Sequence, residues 1–265
     1  MSEDRSHDSP LTALASFFGG VTLLGWEVLK SVLRFRIRFT ELLKQIAFIG
    51  VGSQAVVIIT GGFTGAVFAA QAYYKFNQLG LATATGPVVS LAMCRELGPV
   101  LAGLMVAGRA GASMAAEIGS MKVTEQIDAL RAMGVVPTDY LVVPRTLAML
   151  ISMPILVGEA IAFGILAADL ITVELFGVPR TWFWEQLSQH TGADDILVGL
   201  IKGAFFGLII VLTACRQGLG SSGGASGVGK ATTQTVVYAS LTILIVNLFL
   251  TLGFNQWLPM IPFAP

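Results

Sequence analysis

Arg95 and Glu96 stand side by side in a stretch, residues 87–108, that otherwise holds no Asp, Glu, Lys or Arg. A charge at membrane depth is expensive, so it persists where it serves a pathway, a binding site or a bridge between helices. Neighbours on a helix point about 100° apart, so the two do not form a stacked pair. Each is expected to face a polar cavity, a neighbouring subunit or an ion pair with another helix. Glu159 lies deep in a later apolar run, where it could mark a pathway or bond a neighbouring helix. Asp169 sits near that run's far end, and Lys202 is placed to snorkel outward. Arg109 and Glu117, at the end of the Arg95 stretch, are expected to form an interfacial ion pair.

Residues 118–134 read IGSMKVTEQIDALRAMG. Val123, Ile127, Leu130 and Met133 share one helical face, while Lys122, Glu125, Gln126, Asp128 and Arg131 fall elsewhere. Gly134 and Pro137 supply a stop. A short amphipathic helix between two membrane spans suits either docking to a soluble motor or rest on the bilayer surface.

Other chemistry is excluded by context. Gly224–Lys230 matches the phosphate-binding pattern GxxxxGK, but Ala231 replaces the Ser or Thr that would hold Mg²⁺, and no strand precedes it. The glycines are expected to make a flexible turn. His7 and His190 are the only histidines, and Cys94 and Cys215 are scattered, so no metal site and no disulfide is expected. Nothing resembles a nucleophile with its base.

These residues must be positioned by membrane helices. The chain is 54% hydrophobic and 12% charged, with a mean hydropathy of +0.77. Soluble domains carry roughly 25% charged residues, so lipid must cover much of this surface. About 20 apolar residues cross the hydrocarbon. Hydropathy and helix breakers predict spans at 46–72, 87–113, 146–170, 195–215 and 232–256. The fold class is therefore an all-α polytopic membrane protein with about five transmembrane helices. Continuous apolar runs, not alternating ones, exclude a barrel. With five spans, Arg5, Lys30, Arg34, Arg36, Arg38, Lys44, Arg109, Lys122, Arg131, Arg145, Arg216 and Lys230 fall on one side, against Lys75 and Arg180 on the other. The positive-inside rule then places the N-terminus in the cytoplasm and the C-terminus outside. A net charge of zero suggests no nucleic-acid partner.

Residues 1–10 read as a polar tail and 258–265 as a short outer one. Residues 11–26 are apolar but short for a crossing, and Arg34, Arg36 and Arg38 follow between apolar residues, so 11–43 is expected to be an interfacial amphipathic element, with a sixth span as the alternative. The membrane domain proper is 44–257. Gly61 and Gly65, then Gly199, Gly203 and Gly207, form small-residue faces suited to close packing in a bundle or oligomer. Pro144 and Pro154 should kink or break the third span. Trp182-Phe-Trp184 reads as an aromatic anchor at the outer interface.

Three stretches together resemble the MlaE (YrbE) family, the permease subunits of ABC transporters that move lipids. They are Arg95–Gly103, Ala107–Gly111 with Ala116–Gly119, and Lys122–Leu130; Gly227–Thr233 also looks like the family's last cytoplasmic turn. The similarity covers about residues 40–257. The resemblance implies a permease homodimer in a bacterial inner membrane, with an N-terminal elbow and five spans per subunit. It implies a separate cytoplasmic ATPase dimer that binds ATP and Mg, so that this chain has no cofactor and is not itself an enzyme. It further implies a periplasmic MCE-domain protein, often a STAS-domain subunit, and phospholipid as the cargo. Residues 118–134 would then be the coupling helix, acting through Lys122, Glu125, Gln126, Asp128 and Arg131. Arg95 and Glu96 would lie at an outward-facing lipid cavity, with Gln71, Tyr74 and Leu97 expected beside them. The competing class is an ion-coupled carrier using Arg95, Glu96 and Glu159 as a relay, although no internal symmetry of the kind such carriers show is evident. A scaffold for the MCE partner is a third.

Overall fold

The computed structural model describes residues 10–33 and 38–257, with side chains from residue 19 to residue 256. Residues 1–9 of the tail expected at 1–10, the tail expected at 258–265, and Arg34 and Arg36 lie outside the described residues. Among those described there are only helices and turns. α1 (Pro10–Leu33) precedes the first span, α2 (Phe39–Gln78). Next come α3 (Ala82–Val123), the short α4 (Gln126–Ala132), α5 (Thr138–Leu175), the short α6 (Arg180–His190), α7 (Ala193–Leu219) and α8 (Gly224–Trp257). α2, α3, α5, α7 and α8 are the five described helices long and apolar enough to cross a membrane.

The spans match those expected, but the boundary before them moves. Residues 39–43, grouped above with the interfacial element, are the first turn of α2. α1 turns Leu24, Val28 and Ser31 inward and leaves Leu23, Trp26, Leu29 and Leu33 exposed. Its polar groups tie it to the start of α5: the Ser31 hydroxyl donates to Asp139 at 2.6 Å and Thr138 donates to Glu27 at 3.1 Å.

Small residues set the packing. Ser53, Val57, Gly61, Gly65 and Ala69 recur every fourth residue of α2, so they form one buried face. That face meets α5 backbone to backbone: a Cβ on Gly61 would strike Ala160, and one on Gly65 would strike the Gly164 carbonyl. In α7, Gly199 packs against the Cys94 carbonyl, Gly203 against Val157 and Gly207 against Met149 and Met153. The glycine faces therefore build the bundle within one chain. α8 is the least embedded of the spans. It buries Ala231, Ala239 and Ile243 and exposes Val237, Leu241, Leu244, Ile245, Leu248, Phe249 and Leu252.

α5 runs unbroken through both prolines. Pro144 falls in the first turn after a widened turn at Thr138–Val142, where a missing N–H is tolerated. Gly224–Lys230 is not a turn but the start of α8; only Gly223 and Gly224 carry the positive φ of a chain reversal. Phe183 of α6 is buried between exposed Trp182 and Trp184, under Gly86.

Candidate functional site

Arg95 and Glu96 lie on a widened turn of α3, Met93–Leu97, where the Gly98 N–H reaches back five residues to the Met93 carbonyl. Pro99 has no N–H to give the Arg95 carbonyl four residues earlier. That carbonyl accepts instead from Lys202 Nζ of α7 at 2.7 Å. The turn thus exposes a backbone acceptor inside the bundle, and a lysine fills it.

The two charges do not pair with each other, as their helical offset requires. Arg95 Nε donates to Asp195 Oδ1 at 2.5 Å, and its Nη1 to Asn255 Oδ1 at 2.9 Å. Asp195 Oδ2 also accepts the Gly192 N–H at 2.9 Å, closing the cap of α7. Glu96 Oε1 accepts from Lys202 Nζ and from the Thr251 hydroxyl, both at 2.9 Å; its Oε2 accepts from Asn247 at 2.9 Å. Arg95, Asp195 and Lys202 are buried, the lysine side chain to 1% exposure, whereas the Glu96 side chain keeps 36%. Lys202 therefore does not snorkel. Its ammonium turns into the bundle because three acceptors meet it there.

Glu96 opens onto a groove of about 430 Å³ between α3 and α8, lined by Val88, Leu91, Ala92, Arg95, Glu96, Thr251 and Asn255. Its walls are apolar and its polar groups gather at one edge. The structure does not bring Gln71, Tyr74 and Leu97 to this groove. Gln71 and Tyr74 are exposed on α2, where Tyr73 stacks on Phe176 at 4.2 Å and Tyr74 meets that ring edge-on. Leu97 packs with Val89, Met93 and Phe183. Asp195, Asn247, Thr251 and Asn255 are the site residues that sequence reasoning missed.

The expected Arg109–Glu117 pair is replaced by two separate contacts. Arg109 donates to the Phe48 carbonyl at 3.0 Å and to Ser53 at 2.9 Å, holding the entry of α2. Glu117 pairs with Arg145 of α5 at 2.8 Å. A second widened turn, Ala107–Gly111, separates the two residues' directions. Glu159 accepts from Gln54 at 2.9 Å between α2 and α5, and Asp169 lies 3.4 Å from Arg180.

The expected helix over 118–134 is two helices. α3 continues to Val123, and Glu125 breaks it with a left-handed φ of 60°, the one positive φ outside glycine among the described residues. α4 follows, with Ile127 fully buried and Leu130 half-buried as anchors. Gly134, at φ 74°, ends it as foreseen. Asp128 bonds Lys122 at 2.9 Å and Arg131 at 3.0 Å, and the Lys122 hydrogen bond holds its carboxyl below the ordinary value despite some desolvation. Glu125 and Gln126 remain exposed beside this clamp; Gln126 donates to Thr124 at 3.0 Å.

Five helices long and apolar enough to cross a membrane, packed around a buried charge network, define a multi-pass helical membrane protein. The family model described as Permease MlaE matches residues 42–252, and the chain belongs to that family. A probable ABC transporter permease protein of Rickettsia bellii is 41% identical over 238 residues, covering 90% of this chain and 92% of the relative. The intermembrane phospholipid transport system permease protein MlaE of Haemophilus influenzae is 38% identical over 219 residues, 82% of this chain and 84% of the relative. The chloroplastic protein trigalactosyldiacylglycerol 1 of Arabidopsis thaliana is 34% identical over 236 residues, 89% of this chain and 67% of the relative.

Proposed function

We propose that this chain is the permease subunit of an ABC transporter that moves phospholipid between the inner membrane and a periplasmic MCE-protein conduit. The observation that carries the reading is the groove at Glu96: apolar walls with a fixed charge network at one edge suit an amphipathic molecule. Acyl chains take the walls formed by Val88, Leu91 and Ala92, and the headgroup meets Glu96, Thr251 and Asn255. Two copies of the chain face each other across the exposed apolar side of α8, and the excess of basic residues in the loops on one side supports an N-terminus in the cytoplasm. A separate ATPase pair, with a STAS-domain subunit beside it, binds ATP and Mg and docks on α4 around Glu125. Its closure pushes α4 and α3 and empties the groove toward the MCE protein.

The test is phospholipid transfer from proteoliposomes containing the assembled complex to MCE-loaded acceptor vesicles. Transfer that requires ATP hydrolysis and ignores an imposed proton or sodium gradient is expected. Transfer driven by the gradient alone would overturn the reading in favour of an ion-coupled carrier.

A further inference from the structure

At the opposite end of the bundle, α7 carries a second, unrelated arrangement. Arg216 is half-buried beneath α1, with its guanidinium seated against the backbone of Gly20, where any side chain would displace it. Among the described residues it makes no hydrogen bond and no ion pair. A half-buried guanidinium without an anion is an expensive feature to keep, because the group is permanently charged and wants planar oxygen acceptors.

One helical face leads from Arg216 into the membrane. Thr213 and Leu212, then Ile209 and Leu208, then Phe205, line a groove of about 250 Å³ that Val21 of α1 and Thr242 and Val246 of α8 complete. The Thr213 and Thr242 hydroxyls also lack partners among the described residues, although a helical threonine ordinarily bonds a carbonyl one turn back. From Arg216 to Phe205 the face descends about 16 Å, one leaflet's depth of hydrocarbon. The order is guanidinium at the rim, the Thr213 hydroxyl about one turn below, and beneath it a largely apolar channel that reaches Thr242 near the level of Phe205.

We infer that this groove is a binding site for one phospholipid molecule, distinct from the groove at Glu96. The phosphate bonds Arg216, the glycerol ester region meets Thr213, and one acyl chain fills the channel between α1, α7 and α8 down past Thr242. A bound lipid here ties α1 to the spans, since Val21 stands on one side of the groove and Leu208 and Leu212 on the other. The assignment to the inner leaflet rests on the orientation given under the proposed function; the binding itself does not.

The experiment is thermal unfolding of the delipidated full-length chain in mild detergent, titrated with three probes. These are dioleoylphosphatidylglycerol, dioleoylglycerol, which lacks the phosphate, and glycerol phosphate, which lacks the chains. Stabilisation by the first alone is expected. R216Q should weaken it about tenfold or more, a charge-assisted bond being lost, while R216K retains part of it. L208W leaves the arginine in place and blocks the channel, so it should weaken the stabilisation as R216Q does, and it serves if R216Q fails to accumulate. The same titration on E96Q should still show the stabilisation, which separates this site from the other groove. Equal stabilisation by glycerol phosphate would reduce the site to a free-anion site and overturn the lipid assignment. Equal stabilisation by dioleoylglycerol, or an unchanged response in both R216Q and L208W, would overturn it as well.

Discussion

Removing either half of the Lys202–Glu96 pair is expected to have unequal consequences. In Glu96→Leu, the Lys202 ammonium keeps its contacts to the Arg95 carbonyl and Thr251 but loses its countercharge at 1% exposure. Stranding a buried charge in this way costs about 3–5 kcal/mol. In Lys202→Met, the stranded group is Glu96, which retains 36% exposure onto the groove and keeps Asn247 and Thr251. Water in the groove can serve it, so the loss is nearer that of an unmade hydrogen bond, about 1–3 kcal/mol. At roughly 2–4 °C per kcal/mol for a chain of this length, Tm should fall by about 10 °C in the first variant and about 5 °C in the second. The double variant strands neither charge and should be more stable than Glu96→Leu alone. The assay is thermal unfolding of the purified protein in one detergent, read as a double-mutant cycle. Additive losses in the double variant, or a larger loss for Lys202→Met than for Glu96→Leu, would refute the reasoning.

Three further outcomes follow from the geometry. Charge reversal at exposed Glu125 should leave the chain assembled but uncouple ATP hydrolysis from lipid transfer in the complete complex; normal coupling would remove α4 from the proposed role. Gly65→Leu drives a side chain into the Gly164 backbone and should destabilise by about 1–3 kcal/mol or more, whereas Gly62→Leu, whose nearest atom is 3.8 Å away, should do little when the two are compared by Tm. Asp128 has a depressed carboxyl, so its bonds to Lys122 and Arg131 contribute fully above its ordinary value of 3.8 and are lost only as pH falls through the lower folded value. An NMR titration of that carboxyl should give a midpoint below 3.8, and one at or above it would contradict the clamp.

The spans were legible because lipid demands long apolar runs, and charges within them are rare enough to point at Arg95 and Glu96 directly. Their partners were not. Asp195 reads as an ordinary acidic first turn, and Asn247, Thr251 and Asn255 read as polar punctuation of an apolar helix. Only the fold brings them across separations of 100 to 160 residues. One signal was available: Pro99 frees the carbonyl of Arg95 and so foretells a donor there. Arg109 and Glu117 were paired only because both lie at the end of the same span; the sequence does not show that Ser53 and Arg145 are nearer to them. The break at Glu125 was equally silent, since glutamate in a left-handed conformation is imposed by tertiary context rather than by propensity. Gln71 and Tyr74 entered through family resemblance, and the single chain directs them elsewhere.

α8 touches the bundle differently at its two ends. Below, it is held by buried Ala231, Ala239 and Ile243; above, Asn247, Thr251 and Asn255 reach Glu96, Lys202 and Arg95 through side-chain hydrogen bonds. Packed surfaces resist separation because every ångström uncovers apolar area, whereas hydrogen bonds can be exchanged one at a time for water or headgroup oxygens. The Asn255 end of α8 is therefore a latch on a rigid post. It can swing free by trading acceptors, while the small-residue seam joining α2 to α5 stays shut.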